Sequence, residues 1–123
     1  MGLKNNRQLA KNRNFRQSLS HAWTGILDLF TEERNFRSHC WSAVIAVVLG
    51  LLLRISLNAW AWLCLAIFFV VIMETINTIV ENVVILEVGR HYNEIAKQAK
   101  DIAAAGVLIT ACFAAVIGCL VFI

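Results

Sequence analysis

Three long apolar runs, separated by short polar segments, dominate the pattern of this chain. They cover residues 40–57, 59–85 and 101–123 approximately. A helix needs roughly 20 residues to cross the hydrocarbon core of a bilayer, and the third run meets this length without a charge after Asp101. The first two runs need their less apolar flanks, and Arg54 can extend its side chain to the membrane surface. The pattern predicts an all-α integral membrane protein with three transmembrane helices.

Apolar residues also recur at helical spacing before the first run. Five of them lie near one face of a predicted helix over residues 14–30: Phe15, Leu19, Trp23, Ile26 and Phe30. An amphipathic helix of this kind favours the membrane interface, although packing on soluble loops is an alternative. A short charged segment, residues 31–39, connects it to the first span. Residues 1–13 are polar and basic, which predicts a disordered tail before a single domain over residues 14–123.

Two connections between the predicted spans differ in length. Residues 54–58 suit a tight turn between antiparallel helices, whereas the second connection is longer, with Gly89 as a candidate helix stop. With three spans, the amino-terminal arm and the second connection share one side of the membrane. That side holds ten of the eleven Lys and Arg residues, so it is predicted to be cytoplasmic.

Composition supports a membrane protein over a soluble one. The chain has 123 residues, of which 59% are hydrophobic and 15% charged, and so small a soluble domain could not bury this much apolar surface. The formal charge is +3, and the basic residues cluster before residue 40. Such a segment is compatible with nucleic acid, but beside apolar spans it favours contact with anionic lipid. We therefore expect no nucleic-acid partner.

Candidate chemistry lies in the second span. At 100° per residue, Glu74, Asn77 and Glu81 share one narrow helix face, and Thr78 borders it. A carboxylate in hydrocarbon is costly, so such residues usually face a bundle interior or a cavity. No basic residue of the same span is placed to neutralise Glu74. The stripe therefore predicts a functional site that runs from inside the membrane to its cytoplasmic edge.

Other polar residues belong to the same side. Glu33 precedes the first span, and Lys100 with Asp101 begins the third, although this last pair also suits an ordinary interfacial helix start. Converging carboxylates need a cation, oxygen ligands favour Mg²⁺, and lysine suits a phosphate. The three histidines show no metal-ligand spacing, and His39 is interpreted as an interfacial residue.

At these residues the chain resembles the prokaryotic diacylglycerol kinase and undecaprenol kinase family. The core of the match is Glu74-Thr-Ile-Asn77-Thr-Ile-Val-Glu81-Asn-Val-Val, followed by Ala96-Lys-Gln-Ala-Lys100-Asp101-Ile-Ala-Ala-Ala-Gly-Val-Leu. A weaker match, Glu32-Glu33-Arg-Asn-Phe-Arg-Ser-His39, is similar to the Gram-positive branch, whose members tend to be undecaprenol kinases. The resemblance covers residues 13–123 in the right order.

The resemblance implies a multi-pass homotrimer in a bacterial plasma membrane, with the amino terminus and shared active sites on the cytoplasmic face. It implies phosphoryl transfer from ATP, with Mg²⁺, to the hydroxyl of a membrane lipid alcohol. The expected lipid is undecaprenol, and diacylglycerol, which would give phosphatidic acid, is the alternative.

Residue roles follow from the same resemblance. Glu74 is expected to be the general base, with Asn77 orienting the base or the substrate and Thr78 beside the lipid. Glu33 and Glu81 are expected to bind the Mg²⁺ of ATP. Eight residues are expected to contact the nucleotide: Arg16, His21, Glu33, Glu81, Tyr92, Asn93, Lys100 and Asp101.

One departure from the family pattern leaves other functions open. The family usually has Asp where this chain has Ile85, so a carboxylate is missing from the face that carries Glu74. A membrane subunit without chemistry is therefore an alternative. A small multidrug-type transporter is another, but such proteins generally have four spans and a single central carboxylate. Three spans and an acidic cytoplasmic rim favour the kinase.

Overall fold

The computed structural model describes residues 14–123, which form four α-helices without a strand in that range. The helices are α1 (Phe15–Glu32), α2 (Arg34–Leu53), α3 (Leu57–Val88) and α4 (Glu94–Phe122). The predicted basic tail, residues 1–13, lies outside the described residues. Helices α2, α3 and α4 are each long and apolar enough to cross a membrane. The predicted all-α class with three candidate spans is therefore confirmed.

The chain divides into two compact units, one that ends at Glu32 and one that runs from Glu33 to Ile123. In the first unit, the Asn14 side chain caps α1 by accepting a hydrogen bond from the Gln17 N–H at 2.8 Å. No residue of α1 is buried, and the five apolar residues of its predicted stripe are all exposed. Its contact with the membrane surface remains a prediction.

Helix α2 begins earlier and ends earlier than the sequence pattern suggests. It starts at Arg34, so most of the charged segment that we expected to be a connection is helical. It ends at Leu53 because Arg54 turns into the left-handed region (φ 52°, ψ 52°), where its N–H donates to the Gly50 carbonyl. The Ser56 side chain then caps α3 by accepting a hydrogen bond from the Ala59 N–H at 3.1 Å. The expected helical continuation to Leu57 does not occur.

Helices α3 and α4 meet through a short connection. Gly89 ends α3 with φ 59°, a conformation that favours glycine, and its N–H donates to the Ile85 carbonyl at 2.9 Å. The predicted stop at Gly89 is thus confirmed. Asn93 starts α4, where its side-chain oxygen accepts a hydrogen bond from the Ala96 N–H at 3.0 Å. At 1.5 Å per residue α3 is about 48 Å long, which exceeds a hydrocarbon core of about 30 Å.

The helices of the second unit pack as antiparallel neighbours, with α4 and α2 both lying against α3. Gly106 of α4 lies against the Met73 side chain, and the rings of Phe69 and Phe113 meet edge to face at 6.1 Å. Gly50 of α2 lies against the ring of Trp60. These close contacts fix which levels of the three helices lie side by side.

The buried face of α3 changes character along its length. Leu63, Ala66 and Val70 are buried at spacings of three and four residues, as one helix face requires. The next buried residues on that face are polar: Glu74, Asn77 and Thr78. The apolar core between the helices therefore passes directly into a polar cluster.

Candidate functional site

Glu74 is the centre of this polar cluster. It is 2% exposed, and Asn77 and Thr78 are 7% and 6% exposed. The Thr78 hydroxyl donates to the Glu74 backbone carbonyl at 3.1 Å, one turn back along α3. That contact satisfies the hydroxyl within the helix, and the Glu74 carboxylate interacts instead with the Asn77 side chain and with His39 of α2.

Asn77 links the buried cluster to Glu81. Its Nδ2 donates to Glu81 Oε1 at 3.2 Å, and Glu81 is only partly buried. Its Oδ1 is buried and has no hydrogen-bond partner among the described residues. An unsatisfied buried acceptor costs about 1–3 kcal/mol, so such atoms usually have a partner. Asn77 therefore presents a free acceptor to a group outside this chain's described residues.

His39 contacts Glu74 from α2. Its Nε2 lies 3.5 Å from Glu74 Oε2, and its side chain is 26% exposed. Sequence reasoning interpreted His39 only as an interfacial residue and missed this contact. Spacing along one helix cannot pair residues of two helices. The available signal was its place at the end of the block Glu32–His39, which already carried a motif match.

Two further carboxylates lie near Glu74. Glu33 and Glu81 are both close enough to interact electrostatically with its carboxylate. Glu33 stands just before α2 on an extended backbone (φ −106°, ψ 108°) and makes no capping hydrogen bond with its side chain. Three carboxylates thus share one neighbourhood within a single chain, and two of them are accessible from outside.

These carboxylates suit Mg²⁺ in kind but do not form a closed cage. Within residues 14–123, no three acidic, histidine or cysteine side chains are placed to hold a metal ion by themselves. Mg²⁺ usually binds through one or two carboxylates together with water and substrate phosphates. Glu33 and Glu81 are ligands of this kind, and the other ligands of such an ion would have to come from outside the described residues.

The expected nucleotide contacts on α4 lie at the level of the cluster. Because Gly106 lies against Met73 in an antiparallel pair, Lys100 is roughly level with Ile79, between Asn77 and Glu81. Lys100 is exposed, whereas exposed Asp101 pairs with Lys97 at 2.6 Å. The structure thus gives Asp101 a local partner on its own helix.

The remaining candidates are more scattered. Asn93 caps α4, and Tyr92 beside it is 79% exposed. Arg16 and His21 are exposed residues of α1, in the other compact unit. Ile85 is 61% exposed and lies one turn beyond Glu81. Contacts of these residues with a nucleotide remain predictions.

An apolar groove between α2, α3 and α4 begins at His39. It has a volume of about 330 Å³, and small residues such as Ala46, Ala66, Ala114 and Gly118 form much of its wall. We refer to it as the inter-helix groove. A larger cavity of about 720 Å³ lies at the opposite end of the helices, around Asn58 and Ile123, and its described lining includes no acidic side chain. Of these two cavities of the described residues, the inter-helix groove is the one that adjoins the polar cluster through His39.

The chain is similar to a known family and to several known proteins. The family described as prokaryotic diacylglycerol kinase matches residues 20–122. Diacylglycerol kinase of Synechocystis sp. is 42% identical over 82% of this chain and 58% of that protein. Undecaprenol kinase of Bacillus subtilis is 36% identical over 89% of this chain and 88% of that protein. Diacylglycerol kinase of Escherichia coli is 28% identical over 85% of this chain and 84% of that protein. The chain thus spans little more than half of the Synechocystis protein and most of the other two.

Proposed function

This chain belongs to the prokaryotic diacylglycerol kinase family, and from that premise we propose that it phosphorylates undecaprenol to undecaprenyl phosphate. Relatives that carry the name kinase, and a family of that name, make ATP the expected phosphoryl donor. The three apolar helices make the acceptor a lipid of the surrounding membrane. The observation that carries the proposal is a buried Glu74 with Glu33 and Glu81 in electrostatic range.

In the proposed reaction, Glu74 accepts the proton of the lipid hydroxyl. The freed oxygen attacks the γ-phosphorus of ATP, the bond from that phosphorus to the β–γ bridging oxygen breaks, and ADP leaves. A general base contributes about 10²–10⁴-fold when it is held within reach of the proton. Asn77 Oδ1, which has no partner among the described residues, would accept a hydrogen bond that aligns the hydroxyl or the base. Thr78 would border the same substrate.

Phosphoryl transfer depends mainly on positioning and on neutralising phosphate charge. Glu33 and Glu81 would hold the Mg²⁺ of ATP, which supplies positive charge to the phosphates. Lys100 would add a cation at the same level of the bundle. Further nucleotide contacts are proposed for four exposed residues and one helix cap: Arg16, His21, Tyr92, Asp101 and Asn93.

The choice of undecaprenol rests on sequence similarity. The undecaprenol kinase of Bacillus subtilis is similar to this chain over 88% of that protein's length. The block Glu32–His39 resembles the Gram-positive branch of the family. The 42% identity to a diacylglycerol kinase favours diacylglycerol as the second candidate. Both lipids present a hydroxyl above an apolar tail, so the inter-helix groove beside His39 suits either.

Orientation and assembly complete the proposal. The amino terminus and Glu81 would face the cytoplasm, where ATP is available and where anionic lipid attracts the basic arm. The chain would act as a homotrimer in a bacterial plasma membrane. Large apolar residues remain exposed on every helix of the second unit, and lipid and neighbouring subunits would cover them.

A parallel assay tests the proposed substrate. Purified wild-type protein is given ATP and Mg²⁺ with either undecaprenol or diacylglycerol, and labelled lipid phosphate is measured with and without a Mg²⁺ chelator. We expect metal-dependent transfer with the higher kcat/KM for undecaprenol. A higher kcat/KM for diacylglycerol would show that diacylglycerol, rather than undecaprenol, is the preferred substrate. No transfer to either lipid would contradict the proposed kinase activity.

A further inference from the structure

His39 has no role in the proposed mechanism, yet its imidazole on α2 lies beside the Glu74 carboxylate. Its Nε2 lies 3.5 Å from Glu74 Oε2, across two helices that are separate in sequence. This separation is longer than a strong hydrogen bond, as such contacts often are before substrate binds. A neutral imidazole with its proton on Nε2 is sufficient to donate here.

The contact matters because it reaches the Glu74 carboxylate from a second helix, whereas the other polar group that hydrogen-bonds this carboxylate, the Asn77 side chain, belongs to α3 itself. The Glu74 side chain is almost fully buried, and the Thr78 hydroxyl is directed to its backbone carbonyl rather than to its carboxylate. The Asn77 amide donates to Glu81 at 3.2 Å and is shared with the Glu74 carboxylate. Meanwhile Glu33 and Glu81 repel the Glu74 carboxylate. A donor that approaches from α2 therefore opposes this repulsion and restricts where the carboxylate can point.

His39 also lines the inter-helix groove at its polar end. Beyond it the described lining is formed largely by small apolar residues of three helices, such as Ala43, Ala111 and Gly118. The same imidazole thus touches the carboxylate on one side and the groove on the other. A lipid alcohol with its tail in this groove would bring its hydroxyl to the level of His39 and Glu74.

We infer that His39 is a positioning residue, which holds the Glu74 carboxylate at the mouth of the inter-helix groove through its Nε2–H. The inference rests on the proposed function, in which Glu74 takes a proton from the lipid hydroxyl. A misplacement of about 1 Å in an active site can cost about 100-fold in rate. Loss of His39 should therefore slow the transfer step while the nucleotide still binds.

Four proteins test this role: wild type, His39→Ala, His39→Gln and His91→Ala. Glutamine keeps a donor near the position of Nε2, and His91 lies in the exposed connection between α3 and α4, which makes it a matched control. Transfer from ATP to the preferred lipid alcohol gives kcat and both KM values, and thermal unfolding in detergent gives Tm. We expect kcat of His39→Ala to fall about tenfold to 100-fold with KM for ATP unchanged. His39→Gln should recover most of this loss, and His91→Ala should match wild type.

The outcomes separate this inference from the function on which it rests. An inactive wild type would contradict the proposed kinase. An active wild type with unchanged kcat in His39→Ala would overturn the positioning role alone. So would a glutamine variant as slow as the alanine variant, or a loss that lies only in KM for ATP. If His39→Ala does not fold, the test rests on His39→Gln. A folded His39→Gln variant with kcat near that of wild type supports the donor role. A folded variant with a much lower kcat refutes it.

Discussion

Glu74 is buried to 2% exposure in the middle of a helix whose neighbouring residues are largely apolar. Burying a carboxylate costs free energy unless it is paired and hydrogen-bonded. Its contact with His39 is long, and two other carboxylates lie near it. A merely structural position would be filled more stably by an apolar residue of similar size. A role as general base accounts for a buried carboxylate at the polar end of the core.

The role of Asn77, which lies one turn from Glu74 on α3, can be tested by mutation. Asn77→Ala removes both the donor to Glu81 and the buried acceptor that has no partner among the described residues. If that acceptor aligns the reacting groups, kcat should fall about 100-fold, since misplacement of this order has such an effect. The measurement is steady-state phosphoryl transfer to the lipid alcohol.

Asn82→Ala is the matched control for Asn77, because Asn82 is exposed on the same helix. Its kcat should equal that of wild type. Full activity in Asn77→Ala, with the protein folded, would show that the orphaned acceptor has no part in the reaction.

At the scale of helices, close packing at Gly50 fixes how α2 meets α3. A Cβ added there would stand 2.8 Å from the Trp60 ring and 3.1 Å from the Ile55 side chain. The ring is rigid, so the helices must separate to admit even one methyl group. The same register brings His39 opposite Glu74, so packing and site geometry are coupled along α2.

Gly50→Ala should therefore destabilise the protein by about 1–3 kcal/mol, the usual cost of overpacking. Thermal unfolding in detergent measures it as a lower Tm. Gly118→Ala is the control, because a Cβ there meets nothing within 4 Å. Equal Tm values for the two variants would contradict the close approach at Gly50.

The inter-helix groove gives a second test at this scale. Gly118→Leu places a large side chain in open space on the groove wall. If the groove receives the lipid tail, KM for the lipid should rise several-fold while KM for ATP stays unchanged. Cys119→Leu, on an exposed neighbouring position, should leave both values unchanged.

A different result would identify a different occupant of the groove. A change in oligomer size of Gly118→Leu on a sizing column, without a change in KM for the lipid, would indicate that a second copy of the chain fills it.

Sequence patterns predicted features within one helix, such as a shared face or a helix end, better than contacts between two helices. Helical periodicity put Glu74, Asn77 and Glu81 on one face, and the glycine signal located the end of α3, because both depend on local geometry. The charged residues Arg34–His39 resembled a connection, but they are helical and carry His39 toward Glu74. The pairing of His39 with Glu74 depends on the register of two helices, which no local pattern encodes.

At the scale of the whole molecule, the described part of the chain leaves much apolar surface uncovered. Leu52, Phe68, Ile109 and Leu120 are all exposed by more than half, on three different helices. A bilayer or neighbouring subunits can cover such surface without cost. The proposed homotrimer in a membrane accounts for it, whereas a soluble monomer would not.

The proposed assembly predicts a definite size. In mild detergent the protein part of the complex should have three times the 13.8 kDa mass of the chain, as measured by light scattering with correction for bound detergent. A value near one chain in a preparation that retains full kinase activity would contradict the trimer but would leave the chemistry of Glu74 in place.

The central claim is that Glu74 takes the proton of a membrane lipid alcohol while ATP donates its γ-phosphate. The most direct measurement is transfer of labelled phosphate from ATP to undecaprenol, with Mg²⁺, by wild type, Glu74→Gln and Glu87→Gln. Glu87 is an exposed glutamate of the same helix and serves as the matched control. We expect labelled lipid phosphate from wild type and Glu87→Gln, and a rate about 10²–10⁴-fold lower for Glu74→Gln. A folded Glu74→Gln variant that transfers phosphate as fast as wild type would contradict this claim.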